Sequence, residues 1–148
     1  AVRDVLIRNN RFDASCLTSG YQFTEAVISI LPEIPEPDPS RPFHRNIRIE
    51  DNHFSSADYP ILFATSVDGL TFSGNTIERS YEFRPWHRRK AGITVDASKN
   101  VKILDNKFVG EVLGRTISIE NMDKREVKVS PGSPYRVVHN EAPNLMKR

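Results

Sequence analysis

VLIRNNRF (5–12), IRIEDNHF (47–54), LTFSGNTI (70–77) and VKILDNKF (101–108) are four versions of one pattern. Each has two apolar residues two places apart, then an Asn, then an apolar residue two places beyond the Asn. The asparagines Asn10, Asn52, Asn75 and Asn106 stand 42, 23 and 31 residues apart. Spacing that irregular excludes a helical heptad and fits stacked coils whose connecting turns differ in length. The pattern identifies a solenoid.

Apolar residues two apart with polar residues between them mark short, half-buried strands at Val5/Ile7, Ile47/Ile49, Leu70/Phe72 and Val101/Ile103. A second strand family reads AVISI (26–30), PILFA (60–64), AGITV (91–95) and RTISI (115–119). In register, Ile28, Leu62, Ile93 and Ile117 form one inward column, and Ile30, Ala64, Val95 and Ile119 the next. The asparagines then fall at one corner, where an amide bonds to the coils above and below and the left-handed backbone is tolerated. Phe12, Phe54, Ile77 and Phe108 open a third, very short strand beside that corner. Three strands per coil with an Asn ladder predict an all-β chain, a right-handed parallel β-helix of about four to five coils, roughly 20 Å long at the strand spacing.

The 148 residues, 38% of them hydrophobic, are enough for one domain with a real core. A formal charge of +2 is too mild to argue for nucleic acid or an anionic membrane surface, and neither is expected as a partner. No run approaches the roughly 20 apolar residues of a membrane span. Cys16 is the single cysteine, which excludes an internal disulfide and reads as a buried structural thiol. The coils are expected over 1–140, with insertions at 31–46 and 79–90 and a tail at 141–148. Residues 3–12 open directly in an Asn-bearing strand with no capping helix, so the chain reads as the C-terminal part of a longer β-helix. Upstream coils are its expected partner, and an uncovered coil end predicts association, including homo-oligomers. REVKVSPGSPYRVVHN (125–140) keeps strand character but has no Asn corner, as where a coil pattern decays.

The two insertions carry the individuality of the chain. LPEIPEPDPSRPFHRN (31–46) holds five of the ten prolines, which makes it stiff and poor in backbone donors. It reads first as a rigid surface brace; Glu33, with Glu36 and Asp38, is its candidate for contact across a cleft. RSYEFRPWHRRK (79–90) contains the only tryptophan, Trp86, beside Arg84, His87, Arg88 and Arg89. An aromatic ring next to Arg and His suits a sugar, with the ring under C–H faces and charged donors on hydroxyls. The plainer reading packs Trp86 on the flank of the coils and pairs the arginines with Glu78 and Glu82.

AVISILPEIPEPDPSRPFHRNIRIEDNHF (26–54), DYPILFATSVDGLTFSGNTIERS (58–80) and FRPWHRRKAGITV (83–95) together resemble the C-terminal β-helix coils of family 110 glycoside hydrolases. These are bacterial exo-acting α-galactosidases, among them α-1,3-galactosidases that remove blood-group B galactose. The resemblance covers roughly residues 1–115. It implies an inverting mechanism without a metal or other cofactor, a glycan with terminal α-galactose as substrate, and a secreted or periplasmic location. The family joins its solenoid to small β-barrel domains, and no barrel is evident here. Its catalytic aspartates include an adjacent pair; no Asp-Asp occurs in this chain, so the resemblance places the catalytic residues upstream.

Taken by themselves, the acids offer one weak pair. One residue past the inward columns, Asp96 and Glu120 occupy equivalent positions on successive coils, about 4.8 Å apart at the backbone. An inverting pair stands about 6.5–9.5 Å apart with water between, and exposed acids at a strand end are the plainer reading. Asp51 and Asp105 precede Asn corners and Asp68 precedes Gly69, where turn chemistry accounts for them. The four histidines show no HxxxH or HxH spacing for zinc, and the seven glycines match no GxSxG or GxxxxGK pattern. The leading expectation is a scaffold segment of an inverting exo-α-galactosidase with substrate-contact loops. The alternatives are a non-catalytic carbohydrate-binding or structural β-helix module, and a pectate-lyase-like enzyme, which would need a calcium cluster and a basic residue. The outward positions Ser29, Phe63, Thr94 and Ser118 supply neither.

Overall fold

The computed structural model describes residues 1–15 and 25–140. Cys16 and the 141–148 tail lie outside them. The alternating segments form coils of three strands. The first comprises β1 (Arg3–Arg8), β2 (Arg11–Ser15) and β3 (Ile28–Ile30), and the second β4 (His44–Glu50), β5 (His53–Ser56) and β6 (Leu62–Thr65). The third has β7 (Val67–Ser73), β8 (Thr76–Arg79) and β9 (Ile93–Asp96), and the fourth β10 (Lys99–Leu104), β11 (Lys107–Val109) and β12 (Thr116–Glu120). A last partial turn adds β13 (Val127–Val129) and β14 (Arg136–Asn140). Equivalent strands pair in parallel into three sheets, β1-β4-β7-β10-β13, β2-β5-β8-β11 and β3-β6-β9-β12-β14. The chain is a parallel β-helix.

The registers are those the columns require. Ile28, Leu62, Ile93 and Ile117 are successive partners, as are Ile30, Ala64, Val95 and Ile119, and Phe12, Phe54, Ile77 and Phe108. Phe12 stacks on Phe54 at 4.8 Å between ring centres. Inside the middle coils burial is complete, with Ile49, Phe54, Leu62, Leu70, Phe72, Ile93 and Ile117 all at 0% exposure. Val5, Ile7, Phe12, Ile28 and Ile30 of the first coil are only half buried.

The asparagines form a continuous ladder. The backbone N–H of Asn10 donates to Asn52 Oδ1, that of Asn52 to Asn75 Oδ1 and that of Asn75 to Asn106 Oδ1, each at 2.9 Å. The Nδ2 of Asn52 also donates forward to Asn75 Oδ1 and back to the Ile7 carbonyl. Asn75 and Asn106 reach back to the carbonyls of Ile49 and Phe72 in the same way. The left-handed residue, however, is the one before each Asn: Asn9, Asp51, Gly74 and Asp105 have φ of 57°, 56°, 64° and 53°. That kink turns the chain, so the next side chain enters the corner and its amide lies along the stack. A second left-handed row, Ser66, Ala97 and Asn121, turns the third sheet into the first.

The first insertion is shorter than the sequence suggests, because His44, Arg45 and Asn46 already belong to β4, where His44 pairs with Val67. The segment closes on the coils through Phe43, whose N–H donates to Ser66 Oγ at 2.7 Å, and through buried His44, whose Nδ1 accepts from the Val2 N–H. Burial, and next the nearby N-terminal ammonium, hold the His44 imidazole below its usual range against the opposing pull of the Leu31 carbonyl. At the far end Tyr135 sits buried against Phe108, rings 4.9 Å apart and edge to face, in the place where a fifth member of the Phe column would stand.

Replacing Asn75 by Ala removes the acceptor for two donors of Asn52 and frees the Ile49 carbonyl, at a cost of about 3 kcal/mol in urea unfolding. Asn10→Ala, at the half-exposed end, should cost under about 1 kcal/mol. Because the His44 pKa is lowered on folding, the unfolded chain binds the extra proton. Stability is therefore full above the ordinary imidazole value of 6.5 and falls as pH drops below it. His44→Gln should flatten the loss between pH 7 and 5 in thermal melts.

Candidate functional site

The site is built where the second sheet turns into the third. In the second coil that connection is short, residues 57–61; in the third it is long, running from the end of β8 at Arg79 to the start of β9 at Ile93. The long loop therefore folds back over its neighbour. Its departure is set by the Ser80 N–H on the Ser56 carbonyl at 2.9 Å and by Arg79, whose guanidinium lies 4.5 Å over the Tyr81 ring. Its return passes through a gap that only glycine fits. A Cβ on Gly92 would stand 2.0 Å from the Gly114 carbonyl oxygen, and Gly92 O receives the N–H groups of both Ile61 and Leu62.

Between those ends the loop is held by Asp58, a buried carboxylate in the short connection. Its Oδ1 accepts two consecutive backbone N–H groups, from Trp86 at 2.5 Å and from His87 at 2.8 Å. His87 lies inside, 6% exposed; its Nδ1 accepts the Arg89 N–H and its carbonyl accepts Lys90 Nζ. Lys90 also lies 4.5 Å over the Tyr59 ring. Arg89 crosses the outer face of the third sheet, 4.5 Å above the Phe63 ring, bonded to Glu25 at 3.1 Å and 3.8 Å from Glu120. That cover explains why outward-facing Phe63 is buried.

With its backbone pinned, the loop leaves three aromatic side chains in solvent: Tyr81, Phe83 and Trp86 at 71%, 47% and 66% exposure. Arg84 is exposed among them. Trp86 and Arg84 thus stand where a sugar can reach them, while His87 is an internal anchor because its ring is buried and its Nδ1 committed. Glu33 is exposed on the 31–43 segment, between the third and first sheets, whereas Trp86 lies on the loop between the second and third.

Asp96 and Glu120 are register partners on β9 and β12, as the columns require. Each carboxylate is engaged in its own corner. Asp96 accepts from Thr65 Oγ1 at 3.3 Å and Asn121 Nδ2 at 2.8 Å; Glu120 accepts from Ser118 Oγ at 2.9 Å. The bonds of Asp96 tie it to the coils on either side and that of Glu120 holds it along its own strand, a structural use of both acids. Among the described residues no group of three or more His, Cys, Asp or Glu could hold a metal ion. The sequence reading missed Asp58. The available signal was an acid in SSADYP (55–60), the shortest connection beside the longest.

No protein-family model matches the chain. Among curated proteins it is 59% identical over 137 residues, 93% of its length, to alpha-1,3-galactosidase B of Bacteroides thetaiotaomicron, covering 22% of that protein. It is 50% identical over 108 residues to alpha-1,3-galactosidase B of Bacteroides fragilis, 70% of this chain and 18% of the relative. To alpha-1,3-galactosidase A of the same species it is 39% identical over 129 residues, 87% of this chain and 21% of the relative. The chain thus spans about a fifth of the length of the relatives it matches. The resemblance read from the sequence is borne out.

Adding one methyl at Gly92 drives it into the Gly114 carbonyl, so Gly92→Ala should cost about 3 kcal/mol. Limited proteolysis should then cut within 79–90 in the variant and spare the unaltered chain.

Proposed function

We propose, on the premise of this kinship with the α-1,3-galactosidases, that the chain is the C-terminal β-helix section of an inverting exo-α-galactosidase acting on terminal α-1,3-linked galactose. The observation that carries the reading is 59% identity sustained over 93% of the chain. Its contribution is mainly scaffold, with Trp86 and Arg84 as substrate-contact residues on the 79–90 loop. The half-buried columns of β1, β2 and β3 support a further coil stacked on that face, whose Asn would donate to Asn10 Oδ1 as Asn10 does to Asn52. Left uncovered, the same face favours self-association of the chain. Catalytic acids in preceding coils fit the commitment of Asp96 and Glu120 to their own corners. Export to the periplasm or beyond is proposed with this reading and is tested by cell fractionation.

The test is release of galactose from an α-1,3-linked galactoside by a longer protein that carries this chain behind its preceding coils. Hydrolysis is expected, with β-galactose as the first product by NMR, as an inverting mechanism requires. Asp96→Asn and Glu120→Gln should keep kcat within about threefold, since neither is assigned to the proton transfers. No hydrolysis would overturn the galactosidase reading; a thousandfold loss in either variant would overturn the scaffold role.

A further inference from the structure

An exposed indole on a mobile loop is an ordinary surface residue, because ordering it on a ligand costs what the contact returns. Trp86 differs in being exposed while its backbone is fixed. Its own N–H and that of His87 end on one oxygen of buried Asp58, and the residues that follow are tied in turn. Arg89 then fastens the loop to Glu25 and Phe63. Folding thus fixes the backbone that carries the ring without burying the ring, and Tyr81 and Phe83 stand exposed on the same loop.

We propose that Asp58 is a positioning residue that holds Trp86 as a preformed stacking platform for a galactopyranose. The class of ligand follows from chemistry. An aromatic face packs on a patch of sugar C–H groups. The axial O4 of galactose leaves the hydrogens on C3, C4 and C5 together on one face, whereas glucose, with O4 equatorial, has no such continuous patch. Exposed Arg84 supplies donors to hydroxyls at the edge of the ring. The proposal deepens the galactosidase reading and rests on it for the sugar; the clasp itself rests on the geometry of Asp58. Both N–H groups use a single acceptor oxygen, Oδ1, so an Asn at position 58 can still receive them and an Ala cannot.

Trp86 is the only tryptophan in the chain, so its fluorescence reports on this loop alone. Titration of the 148-residue chain with an α-1,3-galactobiose should quench or shift that emission, and maltose should not at the same concentration. Asp58→Ala should weaken galactobiose binding about tenfold and raise iodide quenching of Trp86, while Asp58→Asn restores both. Circular dichroism confirms that each variant is folded. Should Asp58→Ala fail that check, NMR titration of the indole N–H in the unaltered chain still locates the sugar, and Trp86→Phe should lose galactobiose binding.

An indole signal unmoved by galactobiose, or equal affinity in the Asp58→Ala and unaltered chains, overturns the proposal. If the longer protein hydrolyses α-galactosides while Trp86 stays silent, the platform fails and the galactosidase reading stands. If Trp86 responds to galactobiose and no hydrolysis is found, the platform stands and that reading fails.

Discussion

The carboxamide ladder at residues 10, 52, 75 and 106 is the constraint on which the remaining geometry rests. A primary amide has one acceptor oxygen and two donor hydrogens. In the middle of the ladder, at Asn52, all are used: Oδ1 receives the backbone and side-chain N–H groups of Asn10, and Nδ2 donates to the Ile7 carbonyl and to Asn75 Oδ1. An unmet donor in that buried corner would cost about 1–3 kcal/mol. The amide therefore fixes the step between coils at one corner, and the Phe column two residues later inherits its register from it. Since the corner sets the register, the connections need not share a length, and spacings of 42, 23 and 31 residues are compatible with the same stack.

The ladder is also directional. Asn10, Asn52 and Asn75 donate their backbone N–H groups to the next coil, and Asn52, Asn75 and Asn106 reach back with Nδ2. Asn10 Nδ2 bonds to Arg8 O within its own coil and to Asn52 Oδ1. The apolar columns tell the same story, half buried at Val5 and Ile7 but 2% and 0% exposed at their partners Ile47 and Ile49. The other end closes differently. Tyr135 folds its ring onto Phe108 and shields the column, at the expense of burying a phenol whose pKa burial pushes well above its usual range. One end leaves its apolar columns half buried and the other is covered by an aromatic side chain.

The columns were legible in the sequence because they depend on local periodicity alone: period two for the strands, one Asn per coil. The position of the left-handed residue was read one place late. Asn tolerates that conformation, but here its amide has a better use along the stack, and the kink falls on Asn9, Asp51, Gly74 and Asp105. The course of the 79–90 loop was not legible. It depends on a buried acid 28 residues earlier and on the mismatch between two connection lengths, neither of which leaves a periodic trace. His87 illustrates the same limit. Beside Trp86 and three arginines it looks like a surface ligand, yet the turn that exposes the indole puts the imidazole inside.

That opposition between adjacent residues is how a repetitive fold acquires an individual surface. Strand positions in a β-helix are shared with the coils above and below, so a change there disturbs two neighbours. Corners are shared only through their backbone bonds, and an insertion leaves those intact when it departs and returns at the right places. Here Ser80 on the Ser56 carbonyl and Gly92 under Ile61 fix both ends, while Asp58 spans the middle. The loop's own residues are then released from folding the stack. Trp86 contributes little apolar burial where it stands, and its position is held by its backbone N–H on the Asp58 carboxylate rather than by packing of its ring. A side chain whose backbone the fold fixes and whose ring it leaves exposed is available for contact with something outside the chain.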